Sequence, residues 1–295
     1  MTSFRLRLLR GAMRHVVKPL LKRTSNAALM RAALNIGTWA LWLPQGVVQT
    51  RDAHGVTWFH PKGGPKSSRL VLWFHGGAYV AGGAFSHRSL LGRIAKETGC
   101  PVAAPDYRLA PKHPLPAAFE DAVSIFSTLG HDASDVILGG DSAGGGLATA
   151  LAARLIQDGQ MPAGLVLLSP WTDLTVSGAS IIRNRARDPL IPSEAMPKAI
   201  AQIAPGADLT DPRLSPIFAK WDKAPETFLQ VGSTEVLLDD SLRLAENLRA
   251  AGAKVEVDTI PGAPHVIAFL APVTPEGRGA LDRVVRFIQD RLSQN

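Results

Sequence analysis

Six short apolar runs punctuate the chain between residues 69 and 260: RLVLWFH, PVAAPDY, DVILGG, AGLVLLSP, TFLQVG and AKVEVDTI. Most are continuously apolar rather than alternating, as expected of strands covered on both faces. Between most of them lie stretches whose apolar positions recur every three or four residues. These are HRSLLGRIAKET, PAAFEDAVSIFSTLG, AGGGLATALAARLIQDG and SLRLAENLRAAG, with RGALDRVVRFIQDRL at the end. Each has one face to lay on a sheet, so the pattern predicts crossover units feeding a mainly parallel sheet. Upstream, GVVQTRD and GVTWFHP, joined across AHG, predict an antiparallel pair and bring the expected sheet to eight strands.

Two regions leave this rhythm. Residues 1–45 read as helices. In MTSFRLRLLRGAMRHVVKPLLKR, Leu6, Leu9, Met13, Val16, Val17 and Leu20 keep helical spacing mostly opposite Arg7, Arg10, Arg14 and Lys18, with an interruption or restart at Pro19. The second region follows SPWTDLT and runs for about fifty residues without alternation, rich in Pro and Arg (RNRARDPLIPSEAMPK), the pattern of an inserted lid. The expected organisation is residues 1–45 as N-terminal cap helices, 46–174 as the first part of a core, 175–222 as a cap insertion and 223–295 as the rest of the core.

Composition narrows this picture. At 295 residues and 46% hydrophobic, the chain can bury one large α/β core. The net charge of +7 is uneven: residues 1–51 hold nine Lys or Arg and no acid, leaving 23 basic against 25 acidic residues elsewhere. The body therefore carries no electrostatic footprint for nucleic acid. The basic N-terminal helix either lies on the protein's own surface or contacts anionic lipid. A lone cysteine, Cys100, cannot pair within the chain and reads as a buried small hydrophobe, and no stretch has the quality of a signal peptide or a membrane span. A cytoplasmic protein is expected.

The candidate chemistry centres on GGDSAGG. Gly140, Asp141, Ser142, Ala143 and Gly144 match the GxSxG nucleophile elbow, with a predicted strand before and a helix after. A serine hydroxyl is a poor nucleophile at neutral pH and becomes useful only where a base and an oxyanion site converge; the competing reading is a tight turn with Ser142 as a helix cap. Upstream, His75, Gly76, Gly77 and Ala78 end a strand like an HGGG-type loop, so the amides of Gly76, Gly77 and Ala143 are candidates to hold an oxyanion. His265 is the one histidine beyond Ser142, as the chain order serine, acid, histidine requires. For the acid, Glu235 stands three residues past Gly232; Asp239 is the alternative, although it and Asp240 adjoin a helix start where capping or a dipole interaction explains them. His75 reads as a loop organiser, Asp141 as a brace of the elbow, and Arg108 as the partner of a structural carboxylate.

HGGAY, DYRLAPKHPLPAAFEDA, GGDSAGGGLA and SPWTDLTVSG, in that order, resemble the hormone-sensitive-lipase-like branch of bacterial esterases in the α/β-hydrolase superfamily, over roughly residues 70 to 268. The resemblance implies an α/β-hydrolase fold with a helical cap, built from the N-terminal helices and the insertion. It also implies a serine carboxylesterase for short- to medium-chain esters, with Ser142, an acid and His265 as triad and Gly76, Gly77 and Ala143 as oxyanion donors. The family usually has Asp where this chain has Glu235; Ala78 replaces the third loop glycine and Lys112 a frequent Glu. No cofactor or metal is expected, and the partner is a small-molecule ester. Lipid-surface contact by the N-terminus and a homodimer are left open. Lactonase or amidase activity on the same triad is the alternative, and a ligand-binding pseudoenzyme, as the gibberellin receptors are, the more distant one.

Overall fold

A computed structural model of the protein describes residues 2–23, 26–39 and 41–293. The chain begins with helices α1 (Phe4–Ala12), α2 (Lys18–Arg23) and α3 (Ala27–Trp39), then forms the hairpin β1 (Val47–Arg51) and β2 (Val56–Pro61). There follow β3 (Leu70–Phe74), α4 (Ala84–Thr98), β4 (Val102–Pro105), α5 (Ala117–Thr128), β5 (Val136–Asp141), α6 (Ala143–Gln157) and β6 (Gly164–Leu168). Two short helices, α7 (Ser180–Arg183) and α8 (Met196–Ile203), precede β7 (Thr227–Gly232), α9 (Leu238–Ala250), β8 (Val255–Ile260) and α10 (Pro275–Leu292).

The eight strands form one sheet in the order β1-β2-β4-β3-β5-β6-β7-β8. The β1/β2 and β2/β4 pairs are antiparallel and the rest parallel. The continuous apolar runs have the expected cause. Along β3, Leu70, Leu72 and Phe74 join a core with Phe119 of α5, Leu151 of α6 and Leu244 of α9, while Val71 and Trp73 join another with Leu91 and Ile94 of α4 and Val284 and Ile288 of α10. Successive side chains on a strand point to opposite faces, so a strand between two helical layers must be apolar at every position. Cys100 lies in the second core, its Sγ donating to the Arg69 carbonyl at 3.1 Å, and burial pushes its thiol up to about 12.

Near Pro19 the helix does not stop. A wide π turn at Met13–Val17 separates α1 from α2, whose second residue is Pro19. A proline ring collides with the carbonyl four residues earlier, here His15, and widening the turn at that carbonyl accommodates it. The basic side chains of this helix pair reach the insertion. Arg14 donates to the Ala186 and Arg187 carbonyls at 3.1 and 2.8 Å, Lys18 to those of Arg185 and Asp188 at 2.7 and 2.8 Å, and Lys22 pairs with Glu194 at 3.3 Å. Among the described residues, no helix is long and apolar enough to cross a membrane.

Candidate active site

One residue separates β5 from α6. It is Ser142, and it holds φ 52° and ψ −123°, a backbone conformation that costs a non-glycine residue about 1–3 kcal/mol. The surroundings impose it: the Ser142 amide donates to the Leu168 carbonyl at 2.9 Å, and its carbonyl accepts from the Trp171 amide at 2.9 Å and the Gly146 amide at 3.1 Å. Close packing explains the glycines, since a Cβ on Gly144 would run into the carbonyls of Phe74 and His75. The Ser142 side chain makes no capping hydrogen bond to α6, so the helix-cap reading fails.

Glu235 and His265 come from the loops after β7 and β8, at the same end of the sheet as Ser142, where parallel strands present their carboxyl ends. His265 Nδ1 lies 2.6 Å from Glu235 Oε2. The carboxylate is fully buried, and its other oxygen accepts from Ser169 Oγ at 2.8 Å and the Gly232 amide at 2.5 Å. An ionised carboxylate only accepts, so the shared proton sits on Nδ1 and leaves Nε2 as the basic nitrogen. Burial acts to depress the His265 pKa, but the charge and hydrogen bond of Glu235, with Asp188 and Asp141 behind, outweigh it and raise the imidazole above its ordinary value.

Asp239 serves elsewhere, pairing with Arg183 at 2.8 Å and accepting from the Ser180 amide at 2.9 Å. Asp240 is buried and accepts from the Thr172 and Asp173 amides at 2.8 and 3.0 Å; burial carries it up to about 7. Both stand in the first turn of α9, but their side chains reach across to residues 172–183 rather than capping it.

The loop after β3 brings one correction. The Gly76 amide is spoken for, 3.1 Å from Asp141 Oδ2 and 3.2 Å from His87 Nε2, so it is not free to hold an oxyanion. Among the described residues, the amides of Gly77, Ala78 and Ala143 have no protein acceptor, so these three are the candidates to hold an oxyanion. Gly77 takes φ 122°, where a Cβ would strike the Ala81 carbonyl, and Ala78 follows at φ 53°.

Asp141 is the brace. Its carboxylate accepts from Trp73 Nε1 at 3.0 Å and the Gly76 amide and lies 3.1 Å from His87 Nε2; burial acts to raise its pKa, and His87 and Trp73 overcome this and lower it. His75 stacks on Tyr107 at 4.2 Å, and burial, aided by His87, drives it down to about 4, leaving it neutral as a loop organiser. Arg108 pairs with Asp121 at 2.8 Å and Glu120 at 3.2 Å.

Four residues at the site had no role in the sequence reading. His87 holds Asp141. Ser169, at φ 48° just after β6, ties the Glu235 loop to the His265 loop: its Oγ donates to Glu235 at 2.8 Å and accepts from the Val266 amide at 3.2 Å. Asn184 and Asp188, both fully buried in the insertion, bond the loop that carries Glu235. For the last, the Asp-Pro pair in RDPL was a visible turn signal. For Ser169 and Asn184, nothing local distinguished them.

Comparison with known proteins gives the family. A family model described as alpha/beta hydrolase fold matches residues 71–269. An esterase of Acinetobacter venetianus is 37% identical over 230 residues, covering 75% of each chain, and an acetyl-hydrolase of Streptomyces hygroscopicus is 36% identical over 253 residues, covering 84% of each. A crystal structure of an esterase from the bacterial hormone-sensitive lipase family superposes with a TM-score of 0.91 at 32% identity, covering 99% of this chain and all of that one. With its doubly covered sheet, its elbow and its acid–histidine pair, the chain belongs to the alpha/beta-hydrolase family, in the bacterial hormone-sensitive-lipase-like branch, and is a carboxylic ester hydrolase.

Proposed function

We propose that the protein is a serine carboxylesterase acting on short- to medium-chain acyl esters through an acyl-enzyme. The observation that carries this is the 2.6 Å contact between Glu235 and His265, at the same sheet end as a serine held in a strained turn. His265 Nε2 takes the proton of Ser142 as Oγ attacks the ester carbonyl. The Gly77, Ala78 and Ala143 amides receive the negative charge on the carbonyl oxygen, each donor being worth roughly 10² to 10³ in rate. The tetrahedral adduct collapses, the C–O bond to the alcohol breaks, and His265 returns the proton to the leaving oxygen. Water then attacks the acyl-serine with His265 again as base, releasing the carboxylic acid and restoring Ser142.

The N-terminal helices and residues 175–222 form the cap. Their mutual contacts through Arg14, Lys18 and Lys22 support that role, and a covered pocket favours compact acyl groups. The acetyl-hydrolase relative points the same way. Hydrolysis of p-nitrophenyl acetate to hexanoate is expected, with a fluorophosphonate probe labelling the peptide that contains Ser142. Preference for long-chain triglyceride emulsions would overturn the chain length, and an unlabelled serine the mechanism.

The pH profile follows from His265. Attack needs the neutral imidazole, and its pKa is raised, so kcat/KM is lost as pH falls through a midpoint above the ordinary histidine value of about 6.5. A midpoint clearly below that value would mean that Glu235 is not charged beside it.

A further inference from the structure

We infer that Asn184 and Asp188 of the insertion are positioning residues for the Glu235–His265 pair, so that the insertion shapes the acid-bearing loop as well as covering the site. This rests on the serine-esterase reading above. The backbone of residues 233–239 is held by side chains of the insertion. Asn184 Nδ2 donates to the Glu235 carbonyl at 2.8 Å and the Ser233 carbonyl at 3.4 Å. The Val236 amide donates to Asp188 Oδ2 at 2.9 Å. Ser180 Oγ donates to the Val236 carbonyl at 2.6 Å and accepts from the Asp239 amide at 3.0 Å. Ser180, Asn184 and Asp188 are each 0% exposed.

Burying three polar side chains, one of them a carboxylate, is costly unless each is hydrogen-bonded, and here the bonds run to the acid loop. Asp188 is further tied by its own turn, Oδ1 accepting from the Leu190 and Ile191 amides at 2.8 and 2.9 Å. Within the loop, Glu235 has only its bonds to Gly232 and the Leu238 amide's 3.3 Å bond to its carbonyl. The support extends outward: Arg14 and Lys18 hold the carbonyls of residues 185–188, including that of Asp188 itself. A run of contacts therefore leads from the N-terminal helix through the 185–188 turn and the acid loop to His265.

A pocket wall and a positioning device have different kinetic signatures. Loss of a wall changes KM and acyl preference. Loss of positioning lowers kcat alike for every ester and disturbs the imidazole itself, since a misplacement of about 1 Å costs on the order of 10²-fold. The charged groups facing His265 are Glu235, Asp188 and Asp141.

The test compares wild type, Ser142→Ala, Asn184→Ala, Asp188→Asn and the surface pair Arg14→Ala/Lys18→Ala, whose half-buried side chains lie outside both apolar cores. Expected for Asn184→Ala and Asp188→Asn is a kcat about 10- to 100-fold lower on acetate, butyrate and hexanoate esters alike, with KM within about twofold. In Asp188→Asn the acid limb of the pH profile moves to lower pH, because a negative charge that helps to raise the imidazole pKa is gone. The downfield proton resonance of His265 Nδ1, readable without turnover, shifts or broadens in both. The surface pair shows the same changes, smaller. Should kcat, pH limb and resonance stay as in wild type while KM or acyl preference moves, the insertion is a wall only and the inference falls. A wild type no more active than Ser142→Ala would instead sink the esterase reading, a failure visible without the other variants.

Discussion

Ser142→Ala is expected to lower kcat by about 10⁶ while leaving the fold and substrate binding in place. The size follows from the nucleophile role proposed for Ser142: without Oγ no acyl-enzyme forms, and His265 has no proton to take. The specificity follows from the elbow's construction. The bonds that hold residue 142 at φ 52° are made by its own backbone, to Leu168, Trp171 and Gly146, and an alanine keeps all three. The missing hydroxyl caps nothing, so no structural bond is lost with it. Alanine inherits the same backbone strain, so the melting temperature stays close to that of wild type. Turnover of p-nitrophenyl butyrate and a thermal melt check both halves. Residual activity within tenfold of wild type would place the nucleophile elsewhere.

Glu235→Gln comes next, with a loss of about 10⁴ in kcat. The buried hydrogen bonds dictate how the amide sits. The Ser169 hydroxyl and the Gly232 amide both donate to Oε1, so the glutamine oxygen faces them and its NH₂ faces His265. An N–H donor opposite Nδ1 selects the tautomer protonated on Nε2, the nitrogen that must accept the serine proton. The removed charge was also the chief opponent of burial in setting the imidazole's pKa, so the acid limb of the residual activity moves to lower pH. Asp239→Asn is the control: it loosens a half-exposed pair with Arg183 and leaves kcat within a few-fold. If Asp239→Asn alone caused the large loss, Glu235 would not be the orienting acid.

The sheet was legible because its strands are buried on both sides. Val71 and Trp73 pack on one layer and Leu70, Leu72 and Phe74 on the other, so six apolar runs marked six strands without any long-range information. The strand–turn–helix at Ser142 was legible because the elbow is a local motif, and chain order pointed to His265, which lies 2.6 Å from Glu235. Features that depend on distant contacts were not. The Gly76 amide reads as an oxyanion donor until Asp141 and His87, 65 and 11 residues away, are seen to claim it. Asn184 and Asp188 lie in a stretch where α7 and α8 are only 4 and 8 residues long, too short for periodicity to show, and their partners are backbone groups that no sequence pattern marks. The spacing past Gly232 favoured Glu235 over Asp239; in the structure Glu235 lies against His265 while Asp239 is engaged by Ser180 and Arg183 across the insertion.

Cys100 has a practical corollary. Sealed in the core and held protonated, the molecule's single sulfhydryl offers nothing to maleimides, Ellman-type reagents or mild oxidants. The wild-type sequence is thereby a silent background for thiol labelling, and a cysteine introduced at Ile182, 81% exposed on α7, would carry a fluorophore alone. A label there reports on the surroundings of α7 during turnover, without first stripping native thiols from the protein.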